Sequence, residues 1–584
     1  MFRNCIVLIT SLVAAAPGAF AAADWIEKSN AYTQPVLEAQ SRYFPENASF
    51  FGNDKFDEEV LDLKPEVFER LQADGRKVLA DLNAALPKEA DAKVRQDLEI
   101  LIKTVSDQLE SARLNRDLML PFIDVGQNVF QGLQVLLDAR NPPERQARAI
   151  ERLKKYAGAS KGHEPIVELA KQRTAERFGV EGLTGPYIEE LNKSMKNTEL
   201  FIDGIAEMFR DAKLKDWQAA HRKLARQLRD YNKWIKKELV PRARADNRLP
   251  ERIYADNVKN FGVSMDPRVL MDRALFGFTE IRDEMQVVAA RIAADRNLPS
   301  PDYRDVIREL KKQQVEGEAI LPLYKNVLAS LEKMIDEHHI VTLPARESVI
   351  RLASEAESAA SPAPYMNPPR LIGNTGEYGE FVLPLRNPTA ADSEAVMDDF
   401  TNEGFAWTLT AHESRPGHEL QFSAMVETGV SLARAIFAFN SANVEGWGLY
   451  AEGVMKEYLP PEGQLFALQN RLLRAARAFL DPMLNLGLMK PEEALRFLTD
   501  EVCYSEPFAT QEVDRYTYRA PGQATSYYYG YMQLKALRLE TELALRDRFT
   551  QRAFHDFILL QGLLPPEQLR RAVMEEFVPS QRGI

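Results

Sequence analysis

Residues Leu98–Leu118 read LEILIKTVSDQLESARLNRDL. Leu98, Leu101, Ile102, Val105 and Leu109 recur at three- and four-residue steps, with Glu, Asp, Lys and Arg between them. That spacing places the apolar groups on one side of an α-helix. The same pattern extends outward in both directions. It covers Val60 to Leu86, Tyr187 to Phe209, Trp217 to Leu239, Leu270 to Ile292 and Tyr303 to Ile335. Pro142-Pro143, Asp266-Pro267 and Asn297-Leu298-Pro299 read as helix boundaries. Strand-like alternation is scarce and no fixed-period repeat is present, which excludes a solenoid. The expected fold class is all-α, a large and predominantly helical body with at most a short strand or small sheet.

One stretch breaks the pattern. Ser358 to Asp392 carries Pro362, Pro364, Pro368, Pro369, Gly373, Gly376 and Gly379. Glu380-Phe381-Val382-Leu383-Pro384-Leu385 near its end is the best short strand candidate. The stretch divides a helical N-terminal region, 24–357, from a C-terminal region, 393–584, that holds the chemistry. Read instead as a long functional loop, it leaves 24–584 as one continuous domain.

Composition narrows the function classes. The 584 residues carry 74 Lys+Arg against 86 Asp+Glu, a net charge of −12. An acidic balance argues against a nucleic-acid binder. The apolar content of 45% supports a sizeable core. Two cysteines exclude a disulfide scaffold and a four-cysteine metal site. Beyond the first residues no stretch approaches the roughly 20 apolar residues of a membrane helix. Those first residues read as a secretory signal peptide, 1–23. Arg3 is the positive region, Ile6 to Ala16 the apolar run, and Ala19-Phe20-Ala21 or Ala21-Ala22-Ala23 the cleavage site. The expectation is an exported protein, periplasmic or secreted, with Cys503 left unpaired and no integral membrane segment after processing.

The sequence becomes specific at Phe405 to Leu420, FAWTLTAHESRPGHEL. His412 and His418 stand six apart, with Glu413 directly after the first. In the zinc-protease pattern H-E-x-x-H the histidines lie one turn apart on one face. Six steps of a 3.6-residue helix rotate the second histidine off that face. Pro416 also disfavours helical geometry at Arg415. Two readings follow: a helix end with two solvated histidines, or a break at Ser414 to Gly417 that lets a second helix present His418 to a shared metal.

Asn443 to Glu452, NVEGWGLYAE, reads as a helix with Glu445 and Glu452 seven apart on one face and Gly448 between them. A glutamate pair on a mostly apolar helix calls for something to satisfy it, and a divalent metal with its supporting hydrogen bonds does so. Two His and one Glu with an open position is a catalytic zinc ligand set. A third segment, Asp514 to Tyr531, runs DRYTYRAPGQATSYYYGY into a helix reaching Arg546. At least one of its tyrosines is expected to line a cavity, where a Tyr or Arg donates to an oxyanion. His338-His339 reads as a helix C-terminus, and His163, His221 and His555 share no ligand spacing. No G-x-S-x-G, P-loop or dinucleotide glycine pattern is present.

With H-E-x-x-P-G-H, E-G-W-x-x-Y-x-E and R-Y-x-x-x-x-P-G-Q-A-x-x-Y in that order, and Phe554-His555-Asp556 to Leu563-Leu564-Pro565 at the close, the sequence resembles the bacterial domain-of-unknown-function 885 family. That resemblance implies a secreted or lipoprotein hydrolase. It also implies a fold similar to the helical zinc carboxypeptidases of the carboxypeptidase Taq type, with a deep central groove. Carried over, it implies His412, His418 and Glu445 as metal ligands, Glu413 as general base and Glu452 as the group orienting a ligand histidine. Arg515 and Tyr527 become substrate or oxyanion contacts. The strand at Phe381 to Leu385 becomes the edge on which a peptide backbone lies, with Phe381, Val382 and Tyr450 as substrate contacts. The H-P-F and D-x-R-x-T motifs of the carboxypeptidase Taq enzymes are absent, so recognition of a C-terminal carboxylate is not implied.

The function expected is a zinc-dependent metallopeptidase, with another divalent ion able to replace zinc and a peptide or small amide as substrate. The competing readings are a metal-dependent amidase or esterase on a small molecule, a non-catalytic periplasmic binding protein, and a structural metal protein.

Overall fold

The computed structural model describes residues 24–361, 363–384 and 398–583. The signal-peptide reading at 1–23 lies outside the described residues, as does part of the Pro/Gly-rich stretch.

Helices dominate, and eight of them position the site. In chain order they are α1 (Ala92–Leu118), α2 (Pro267–Arg296), α3 (Ile320–Glu337), α4 (Glu403–Glu413), α5 (His418–Thr428), α6 (Ser441–Met455), α7 (Pro461–Asn485) and α8 (Thr525–Leu545). Their ends follow local chemistry. Asp91 caps α1 by accepting from the amides of Lys93 and Val94. Asp266 caps α2, whose first residue is Pro267, and Asn297 closes it in the left-handed conformation. Asn402 and Asn440 cap α4 and α6. Each side-chain oxygen satisfies an amide that the first helical turn leaves free.

Two of the expected helices differ. The stretch from Val60 enters its helix only at Val67. Pro65 disfavours helical geometry at Lys64, and Glu66 takes a positive φ. Tyr303 to Ile335 is two helices rather than one, Tyr303–Lys311 and α3. The break leaves the Val315 amide free to donate to the Thr401 carbonyl at 2.7 Å, tying this segment to the start of α4.

The three short strands are β1 (Val349–Leu352), β2 (Tyr365–Asn367) and β3 (Glu380–Leu383). They form one sheet in the order β1-β3-β2. β1 runs parallel to β3, with Ile350 opposite Phe381. β2 runs antiparallel to it, with Met366 opposite Phe381. The strand seen in the sequence is therefore the middle of the sheet, and both of its edges are already paired. Phe381 and Val382 are fully buried, and the Phe381 ring meets Tyr324 of α3 edge-on at 5.5 Å.

Two apolar cores organise the chain. The smaller gathers Leu63 to Leu239 with Ala356. The larger runs from Val36 to Val578 and holds α1 to α8. Within it α2 lies along α7 and α6 along α8. The second pair approaches closely because glycine faces glycine. A Cβ at Gly446 would stand 2.7 Å from Gly530, and one at Gly530 would stand 1.9 Å from the Ala442 carbonyl oxygen. No helix among the described residues is long and apolar enough to cross a membrane.

Candidate metal centre

The break between the two histidines is real and short. α4 ends at Glu413 and α5 begins at His418. The Arg415–Pro416 peptide between them is cis. The connection is held from three directions. Trp447 of α6 donates its indole N–H to the carbonyls of Pro416 and Gly417 at 3.0 and 3.3 Å. Arg415 Nε donates to Glu419 at 3.0 Å. The Ser414 hydroxyl meets that of Ser348 at 2.8 Å. Gly417 is dictated by space, since a Cβ there would fall 1.9 Å from the His412 carbonyl oxygen.

His412 and His418 are buried, at 2% and 6% exposure, so neither is a solvated helix-end residue. Their rings meet edge-on with centroids 4.6 Å apart. Glu445 of α6 faces both. Its Oε2 lies 3.5 Å from His412 Nε2 and 3.4 Å from His418 Nε2. One ligand atom from each of the three residues falls within 4.8 Å of the others.

A second carboxylate aims the first ring. His412 Nδ1 bonds Glu452 Oε1 at 2.7 Å. Glu452 in turn accepts from the Thr408 hydroxyl and from Asn470 Nδ2. With the imidazole proton held on Nδ1, the lone pair on Nε2 points at the shared space. Gly448 makes room for that ring, because a Cβ there would stand 2.6 Å from His412 Cε1. On His418 the buried Nδ1 has no partner among the described residues.

The electrostatics suit a cation. Burial alone lowers the pKa of His412, but Glu445 and Glu452 outweigh it and push it up to about 9. Burial alone raises Glu445, but the two imidazoles outweigh it and hold its carboxyl well below the usual range. The two histidines thus share a deep carboxylate that prefers positive charge beside it. Two nitrogens and one carboxylate oxygen, with an open position, are the donor set of a catalytic zinc site, so the residues present fit a divalent ion. Glu413 lies beside the trio, and its burial raises its pKa.

These residues line a cavity of about 550 Å³. Arg515 and Tyr527 line it too, and Arg515 Nη1 donates to the Tyr527 hydroxyl at 3.2 Å. Pro364, Tyr365, Met366, Pro369 and Leu371 from the Pro-rich stretch form part of its wall. Larger hollows of about 780 and 1150 Å³ lie elsewhere and hold no histidine.

A match to known sequences covers nearly all of the described chain. The profile of a family described as "Bacterial protein of unknown function (DUF885)" matches residues 45–573. The chain belongs to the DUF885 family. No curated protein matches it. The fold of this DUF885 chain recurs in solved structures, among them two described as lipoproteins. One, described as "the putative lipoprotein from Colwellia psychrerythraea", is 18% identical, with a TM-score of 0.77 over 95% of this chain and 100% of that one. The other, "a putative lipoprotein of unknown function from Shewanella oneidensis", is 20% identical, with a TM-score of 0.69 over the same shares.

Three residues expected at the site of this DUF885 protein stand away from the cavity. Phe381 and Val382 belong to the central strand, and the strand that reaches the cavity is β2, through Tyr365 and Met366. Tyr450 is buried on the far side of α6. Its hydroxyl meets His555 Nε2 at 2.9 Å and accepts from Arg538 at 3.3 Å. Two residues absent from the expected set do line the cavity, Arg474 and Arg477 of α7. Their signal was in the sequence. Asn470, Arg474 and Arg477 follow helical spacing inside the apolar run LFALQNRLLRAARAFL, where polar groups need partners.

Proposed function

We propose that this chain is an exported metal-dependent hydrolase that cleaves an amide bond, with a peptide as the substrate class. The observation that carries this reading is the convergence of His412, His418 and Glu445 within 4.8 Å, with Glu413 on the wall of the same cavity. When bound, a divalent ion such as zinc polarises a carbonyl oxygen and lowers the pKa of water at its open position to about 7.

The chain's own groups supply the remaining steps. Glu413 takes a proton from the attacking water and delivers it to the leaving amine. Its burial raises its pKa. Glu452 keeps the His412 proton on Nδ1 throughout. The Tyr527 hydroxyl accepts from Arg515, which frees its own hydrogen to donate to the oxyanion. Export draws support from the leader-like first residues and from the description of both structural neighbours as lipoproteins.

The test is metal content per chain by elemental analysis, on wild type and on His412→Ala in parallel. About one zinc per chain in the wild type, lost in the variant, is the expected result. No metal in either protein after dialysis against zinc refutes the hydrolase reading.

A further inference from the structure

α7 carries an arrangement that lies outside the metal trio. Arg474 and Arg477 are 6% and 4% exposed, yet both line the cavity. Together with Arg515 they surround one aromatic ring. The three guanidinium carbons lie 5.8, 4.3 and 5.9 Å from the centroid of Tyr527. Arg477 gives Nε and Nη2 to Glu512, at 2.6 and 2.8 Å. Its third nitrogen, Nη1, is buried and has no partner among the described residues. Arg474 is held loosely, with Nη1 3.4 Å from the Asn470 carbonyl and Nη2 3.5 Å from Glu452, and its Nε also has no partner among the described residues.

A buried guanidinium N–H without an acceptor is costly; several occur among the described residues, and those of Arg474 and Arg477 are the ones on this cavity. Against the three guanidinium groups the ion-paired carboxylates are Glu452 and Glu512, and Glu452 is shared with His412. Much of the remaining lining is apolar, including Phe50, Phe51, Met366, Phe405, Phe422 and Phe439. Arg474, Arg477, Glu413 and Tyr527 all line the same cavity.

We infer that Arg477 and Arg474 bind a free carboxylate at the end of an otherwise apolar substrate whose scissile amide then lies at Glu413. This rests on the hydrolase reading above and narrows it to cleavage close to a carboxylate terminus. The cavity, about 550 Å³, lies in the range of small-ligand sites. The same chemistry fits the C-terminus of a short peptide and the carboxylate of an N-acyl amino acid.

The test has two arms. In the first, calorimetry on metal-free protein compares N-acetylphenylalanine with its primary amide and with inorganic phosphate. The acid is expected to bind at least tenfold tighter than the amide, since a charge-assisted hydrogen bond is worth about 1.5–3 kcal/mol and about 1.4 kcal/mol is tenfold. Arg477→Lys, which keeps a charge beside Glu512, brings that ratio toward one. Equal binding of acid and amide, or phosphate binding as tightly as the acid, overturns the inference, and neither comparison needs a variant that folds. In the second arm, zinc-loaded wild type is offered N-acetyl-Phe-Phe, its C-terminal amide and N-acetylphenylalanine. The free dipeptide is expected to be cleaved about 100-fold more efficiently than its amide. Cleavage of the dipeptide assigns the carboxylate to a peptide terminus, and cleavage of the acylated amino acid alone assigns it to that smaller class. Amide and acid cleaved alike refute the carboxylate site while leaving the hydrolase. Preferential binding of the acid with no turnover of any compound upholds the site and removes the hydrolase.

Discussion

Gly448→Ala probes the aim of a single ring. The added methyl would stand 2.6 Å from His412 Cε1 and 2.9 Å from both ring nitrogens. Ordinary carbon contacts begin near 3.4 Å, so the imidazole must retreat by about 1 Å. It has little freedom to do so, because Nδ1 is fixed to Glu452 at 2.7 Å. A retreat of that size lengthens the bond beyond hydrogen-bonding range. Loss of a partner that orients a ligand histidine costs 10- to 100-fold in metal affinity. The effect on folding is smaller, because two terms oppose. Alanine in a helix interior gains up to about 1 kcal/mol over glycine, and overpacking costs about 1–3 kcal/mol. The assay is calorimetric zinc titration of wild type, Gly448→Ala and His412→Ala, with thermal unfolding of each. The expected outcome is a Gly448→Ala protein that folds, with a melting temperature close to wild type and zinc affinity 10- to 100-fold weaker. A folded Gly448→Ala that binds zinc as tightly as wild type would refute the argument that Glu452 and the bare backbone of Gly448 together aim His412.

Three other expectations are independent of that ring. Glu413→Gln should retain zinc and lose most turnover, and near-normal rates on a substrate the wild type cleaves would show that another group moves the proton. Asp97→Ala should destabilise the fold by about 3–5 kcal/mol in denaturant unfolding. Asp97 accepts from Ser29, Ser431 and buried Arg434, so its loss strands a charge in the core. His555 is held neutral. Burial is the main cause that pushes its pKa down to about 4, and its two nitrogens are taken by the Ile340 carbonyl and the Tyr450 hydroxyl. Because the folded state resists the proton, its contribution to stability is present above pH 6.5 and is lost as pH falls through about 4. Unfolding free energies from pH 7 to pH 4 should fall less steeply for His555→Gln than for wild type.

What the sequence made legible was whatever local spacing controls. The pair Asp266-Pro267 starts α2, and the proline that made one helix impossible between His412 and His418 sits where two helices meet. Glu445 and Glu452 share a face because seven residues are almost two turns. Tyr450 belongs to the same motif, but five residues beyond Glu445 the helix has turned about 140°, so its side chain enters a different neighbourhood. The strand at Phe381 failed as a substrate edge for another reason. Alternation in a sequence says that a strand exists and leaves open which of its sides other strands occupy. Arg474 and Arg477 stood in an apolar run without a known motif, and their role depends on Glu512 and Tyr527, which are distant in the chain.

The glycine-on-glycine crossing of α6 and α8 has a mechanical consequence. With no side chain between them at Gly446 and Gly530, the two helices have no cushion along which to slide. Glu445 rides on one and Tyr527 on the other. The spacing between the carboxylate and the phenol is therefore set by backbone against backbone, as on a rigid jig.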